Sequence, residues 1–196
     1  MAEVLDQTNT TGATGIGFGD ISNGRDYMCQ GFIPTLNNIT AVSFHIVTKN
    51  GNGVNTDYKV WIDNADTDYF PTGSVGVGIG GETEIANATL VTGALTKYTL
   101  TSSVNLTIGN RYVMCYAPWD NSVHAWRQSY NDWISSTANP YSNGRRVHLD
   151  GSFANPVAPD SGNADIVFET YGDDGAGGGG NNWPIFKAGR FRGARF

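Results

Sequence analysis

Trp119, Trp126, Tyr130 and Trp133 crowd into the stretch between Ala117 and Pro140, with Asp120, His124, Arg127 and Asp132 among them. Flat rings of this kind stack on the apolar faces of sugar rings, while the polar neighbours can bond the sugar hydroxyls. The four aromatics are therefore a candidate glycan-binding surface. A competing reading has the same rings pin a long connection onto the folded body.

A second aromatic set closes the chain. Residues 183–196 hold Trp183, Ile185, Phe186, Phe191 and Phe196 interleaved with Lys187, Arg190, Arg192 and Arg195. Large apolar anchors mixed with positive charge suit docking on an acidic, partly apolar surface. The preceding residues 172–182 are glycine-rich and read as a flexible tether, which raises the local concentration of whatever follows it. Charge distribution supports such docking. All 18 acidic residues precede Gly175 with 8 of the 12 basic ones, a balance of 8 against 18, or −10, for the body and +4 for the end. The expected partner of this assembly arm is a second copy of the chain or another protein of the same assembly. A nucleic-acid arm has a similar composition, but four bases grip phosphate weakly and the body is acidic.

Other chemistry is sparse. Asp63, Asp66 and Asp68 form a weak Ca²⁺ candidate, since carboxylates at close spacing suit a hard cation. The glycine and terminal glutamate of a full calcium loop are missing, and aspartate is also a common turn residue. No other cofactor is expected. His45, His124 and His148 lack metal spacing. No nucleophile elbow or phosphate loop is present, and Glu82, Glu84 and Glu169 form no paired-carboxylate motif, so no catalytic residue is assigned and no enzyme is expected. Cys29 and Cys115 sit in strand-like contexts; two small buried thiols is the simpler reading and a disulfide the alternative. Four Asn-x-Thr triplets, at Asn9, Asn38, Asn87 and Asn105, would accept glycans only on a eukaryotic secretory route.

The elements that must position these groups are strands. Gly, Thr, Asn, Val and Tyr are abundant and Lys and Glu scarce, which favours β structure over helix. Val42, Phe44 and Ile46 alternate with Ala41, Ser43 and His45, and Tyr58, Val60 and Ile62 alternate with Lys59 and Trp61, giving each segment one apolar and one mixed face. The turn-rich residues 49–55 between them predict an antiparallel pair. Val75, Val77 and Ile79 alternate with glycines and predict a flat strand that another chain could cover. With turn signals at regular spacing farther on, the class is an antiparallel β-sandwich. The expected organisation is an N-terminal arm or edge strand over 1–26, a sandwich over 27–171, the linker 172–182 and the arm 183–196. The N-terminal residues have neither a basic start nor an apolar run, so no signal peptide is expected, and no apolar stretch is long enough to span a bilayer.

From Gln30 to Tyr171 the chain resembles a family of bacterial and phage jelly-roll modules found in cell-surface and carbohydrate-binding settings. The resemblance is carried by Gln30-Gly31-Phe32, the strand from Ile39 to Phe44, Tyr58 to Ile62 with Pro71-Thr72-Gly73 after it, Leu106 to Tyr112, the turn Tyr141 to Gly144, and Asp165 to Tyr171. It implies a jelly-roll fold and, where such modules bind sugar, loop aromatics as contacts, here Trp119, Trp126 and Trp133. The tether and basic aromatic end depart from secreted members of that family. A phage virion protein needs no export signal, because lysis releases it. The expectation is thus a non-enzymatic virion structural protein, capsid-decorating or in a tail or fibre, made in the host cytoplasm and assembled as a homo-oligomer through its C-terminal arm. The alternative is a carbohydrate-binding module acting through the loop tryptophans.

Overall fold

The computed structural model describes residues 2–11, 14–18, 27–48, 57–73, 77–120, 125–126, 131–136, 141–149, 156–157 and 165–173, with backbone course alone at 14–18, 48, 118–120, 125–126, 131–136, 148–149 and 156–157. The strands in chain order are β1 (Glu3–Asn9), β2 (Thr14–Phe18), β3 (Tyr27–Phe32), β4 (Asn38–Thr48), β5 (Asp57–Asn64), β6 (Gly80–Ile85), β7 (Ala94–Asn105), β8 (Tyr112–Asp120), β9 (Ala125–Trp126), β10 (Asn131–Ser136), β11 (Arg146–Leu149), β12 (Pro156–Val157), β13 (Asp165–Ile166) and β14 (Phe168–Asp173). They form two antiparallel sheets packed as a sandwich. One runs β1-β14-β4-β10-β13, with β2 on β10 and β7 on β4; the other runs β12-β11-β3-β8-β5-β6, with β9 on β8.

The expected pairing of the two clearest strand segments is corrected. β4 pairs with β14, β7 and β10, whereas β5 pairs with β6 and β8, so the two lie in opposite sheets. Alternation specifies which face of a strand is apolar and leaves its neighbour open. Both apolar faces do meet. Val42, Phe44 and Ile46 from β4 pack in one cluster with Tyr58, Val60 and Ile62 from β5, joined by Met28, Phe32, Met114, Tyr116 and Phe168. Tyr58 and Tyr116 stack with centroids 5.1 Å apart inside it.

The mixed face expected of β5 is buried as well. Trp61 is fully buried on its outer face, in a second cluster with Tyr27, Cys29, Val113, Cys115, Ala117 and Val147. A loop after β5 covers that face, with Ala65, Tyr69 and Phe70 packed on the cluster. Glycine at position 31 admits the Tyr69 ring, since a Cβ there would lie 2.3 Å from Tyr69 Cδ1. The Tyr69 hydroxyl donates to the Asn143 carbonyl (2.7 Å), and Arg145 Nε donates to the Asp68 carbonyl (2.7 Å), tying the loop down. Burying a side chain such as Trp61 contributes roughly 2–3 kcal/mol, which accounts for large residues on both faces of a strand.

Cys29 and Cys115 are directly opposed across the β3–β8 ladder and form a disulfide, with Cα atoms 4.1 Å apart. This corrects the reading of two thiols; cross-strand opposition, which spacing in sequence does not reveal, brings the sulfurs together. The expected flat strand over Val75, Val77 and Ile79 is corrected where it is described, and Val75 lies outside the described residues. Residues 77–79 form a turn, and Gly78 and Gly81 take φ of 54° and 70°. Gly78 lies against the Ile62 carbonyl, where an added Cβ would sit 2.1 Å from the oxygen.

Candidate functional site

The backbone gathers two tryptophan positions. Trp119, at the end of β8, is the register partner of Trp126 in β9 and of Asp57 in β5. Alternation along β8 from Cys115 and Ala117 puts position 119 on the outer face of its sheet, and directly opposed antiparallel residues share a face. Trp133 lies in the other sheet, opposite Ile46 and Ile16. Since Ile46 belongs to the inter-sheet core, position 133 falls on the inward face.

All three positions sit at one end of the sandwich. The Asn87 amide donates to Asp57 Oδ1 (2.9 Å) and the Gly93 amide to the Ile46 carbonyl (2.8 Å), so residues 87–93 bridge the two sheets beside the strand ends that carry Trp119 and Trp133. Tyr130, His124, Arg127 and the whole assembly arm, residues 183–196, lie outside the described residues.

The three aspartates of the calcium candidate do not converge. Asp63 is buried and accepts the amides of Asn64 (2.7 Å) and Gly73 (3.0 Å), and burial raises its pKa. Asp66 Oδ1 accepts the amides of Asp68 (2.8 Å) and Phe70 (2.9 Å), a side-chain turn within the loop. Asp68 pairs with Arg145 at 3.2 Å. Each carboxylate shapes the loop that covers the outer face, and among the described residues no three His, Cys, Asp or Glu side chains group to hold a metal ion. Neither do the three glutamates come together: Glu82 pairs with Lys59, and Glu169 accepts the Tyr171 hydroxyl in the opposite sheet. Asn9 and Asn87 are buried, which closes two of the four glycan triplets in the folded chain.

One polar constellation was not legible. Gln30 and Asp165, both fully buried, bond through Gln30 Nε2 to Asp165 Oδ1 (2.8 Å); the Tyr141 amide donates to Asp165 Oδ2 (3.0 Å) and the Ile166 amide to Gln30 Oε1 (2.8 Å). Burial pushes the Asp165 carboxyl up to about 6, against the pull of these donors and of nearby Arg146. A glutamine and an aspartate at strand positions between apolar neighbours were the available signal. The network joins β3 in one sheet to β13 in the other and is structural in its setting.

Open hollows also mark the surface of the described residues. A groove of about 790 Å³ runs between β6 and β7, lined by Val77, Ile79, Glu82, Glu84, Thr101 and Ser102 among others. A smaller one of about 490 Å³ lies between the loop at Asn64 to Thr67 and the turn at Gly109 to Arg111.

No protein-family model matches the chain, and no curated protein matches it. Among solved structures it is similar to the cysteine protease and lectin-like domains of Cwp84, a surface layer associated protein of Clostridium difficile, at 12% identity and a TM-score of 0.44, covering 86% of this chain and 35% of that one. The chain thus spans about a third of that protein's length, and the likeness is too distant to carry an assignment.

Proposed function

We propose that the chain is a non-enzymatic glycan-binding β-sandwich whose contact surface centres on Trp119 and Trp126. The observation that carries this reading is their direct opposition at one rim of the sandwich. Opposed positions place Cβ atoms about 4.5–5.5 Å apart, so two indoles start from neighbouring points on one face and suit a flat sugar ring. Position 133 lies in the other sheet, opposite the core residue Ile46, and serves as the contrast to the pair. The resemblance to jelly-roll modules of surface and carbohydrate-binding settings supports the same reading, and the disulfide suits work in an oxidising environment.

The experiment is retention on a glycan array, with unfolding measured in parallel. Trp119→Ala and Trp126→Ala should each weaken retention about tenfold or more, equivalent to at least ~1.4 kcal/mol, without lowering the unfolding midpoint. Trp133→Ala should instead lower the midpoint. Wild-type protein that holds to no glycan, or Trp126→Ala protein that holds as well as wild type, would sink the proposal.

The assembly reading, a virion structural protein held by its C-terminal arm, rests on the composition of residues 183–196. It is the second proposal, favoured by one feature of the described surface: exposed apolar residues stand beside glutamates in the groove between β6 and β7.

A further inference from the structure

We infer that the groove between β6 and β7 is the docking site for the chain's own C-terminal segment, residues 183–196. The groove lies where both sheets end. Among the described strands β6 pairs only with β5 and β7 only with β4, so each presents an edge there. Between Ile39↔Val104 and Ala41↔Thr99 the β4–β7 register breaks, and β7 swings toward β6, where the Thr101 amide donates to Thr83 Oγ1 (2.7 Å). The result is a trough floored by Gly80 and Gly81, which lie over Val104 and Leu100.

Its surface chemistry matches the segment. Val77 and Ile79 are 55% and 39% exposed at the trough wall, an apolar pair in an open setting. Glu82 and Glu84 line the same trough, and the nearby cation, Lys59, is nearly buried and paired with Glu82. An acidic, partly apolar trough fits a segment that interleaves Trp183, Phe186 and Phe191 with Lys187, Arg190 and Arg192.

Reach then selects the occupant. β14 ends at Asp173, and its Gly172 is opposite Ile39, which is opposite Val104 on its other side. The chain therefore leaves the sandwich about two strand spacings, or ~10 Å, from the trough. Residues 174–182 span at most about 30 Å, and a glycine-rich linker of that length has a typical end-to-end distance of about 17 Å. The segment is thus held near its own trough at an effective concentration on the order of millimolar, above that of any second copy at ordinary protein concentrations. Exchange of the segment into a neighbour's trough would be the route to assembly.

The test uses the full chain with one cysteine in the segment. Both native cysteines are in the disulfide, so introduced thiols react alone. Phe191→Cys combined with Ile79→Cys should be joined by a short bismaleimide into an intramolecular product at least tenfold faster than Phe191→Cys combined with Ile108→Cys. Ile108 is also exposed and follows the end of β7, whose Val104 and Asn105 oppose Ile39 and Asn38 beside the end of β14, so it controls for reach. Adding Glu84→Lys should slow the first reaction severalfold and leave the second unchanged. Equal rates at the two sites would overturn the inference. Products that are solely intermolecular would also overturn it, and would favour the assembly reading on its own.

Discussion

Asp165 is a residue at which this fold is exposed to pH. Its carboxyl is fully buried between the sheets and its pKa rises from 3.8 to about 6, first because burial disfavours the charged form. A carboxyl that holds its proton more tightly in the folded chain contributes its full stability below the unfolded pKa, where both states are protonated, and loses it once the unfolded chain can release the proton and the folded chain cannot. That contribution is present at acid pH and is lost as pH rises from about 4 to about 6. The shift corresponds to a loss on the order of 2–3 kcal/mol across that window. Asp165→Asn should flatten this part of the profile, measured as urea unfolding free energy at pH 4.5 and 7.0. It should also cost about 1–3 kcal/mol at the lower pH, because an amide accepts only one of the two bonds now made by Gln30 and Tyr141. An unchanged difference between the two pH values would refute the assignment. Glu3, held below its usual range chiefly by its hydrogen bond from Lys97, contributes the opposite slope in both proteins and cancels in the comparison.

At the level of elements, strand periodicity made the apolar faces of β4, β5 and β14 readable, and composition made the class readable. Partners were another matter. A period of two is the same whether Phe44 and Val60 share a sheet or face each other across a core, and the inter-sheet arrangement was therefore hidden. The second apolar cluster was hidden for a related reason: Trp61 on the mixed face of β5 gains its cover from Tyr69 and Phe70, which lie in a loop with no period at all. The tryptophan set was partly legible, in that three of its members reach one rim, but register alone separates the Trp119 and Trp126 pair from Trp133. Gly78, Gly80 and Gly81 were visible as part of a flat alternation, while their actual use is positive φ, in a turn and at the start of β6. Gly78→Ala should show the difference. The added methyl would meet the Ile62 carbonyl at 2.1 Å, so the turn must move and the bond from the Ile79 amide to that carbonyl (2.9 Å) must weaken. The expected loss is about 2 kcal/mol or more by denaturant unfolding. Gly93→Ala has a similar φ of 78° with nothing within 4 Å, and should cost only about 1–2 kcal/mol. Equal losses would mean that backbone conformation, and not contact with Ile62, governs the turn.

For the whole molecule the disulfide decides how the two sheets are held. The chain leaves Cys29 in β3, passes through β4 and β7 of the opposite sheet and β5 and β6 of its own, and returns to Cys115 in β8. The covalent loop spans 86 residues and thereby ties both layers, although the bridge itself lies within one sheet. Closing a loop of that length removes unfolded-state freedom equivalent to roughly 4.6 kcal/mol in the chain-entropy model. Replacing the pair, Cys29→Ala with Cys115→Ala, should therefore lower the thermal midpoint by on the order of 10 °C in a domain of this size. The remaining contacts survive that change: the apolar packing of Trp61 and Tyr27 around the bridge, with ring centroids 6.1 Å apart, keeps the outer cluster filled, so the variant should stay folded at room temperature. Thiol titration of the unfolded wild-type chain makes the claim direct. No free thiol is expected, and two free thiols with an unshifted midpoint would remove the bridge from the account of stability and with it the support for an oxidising setting.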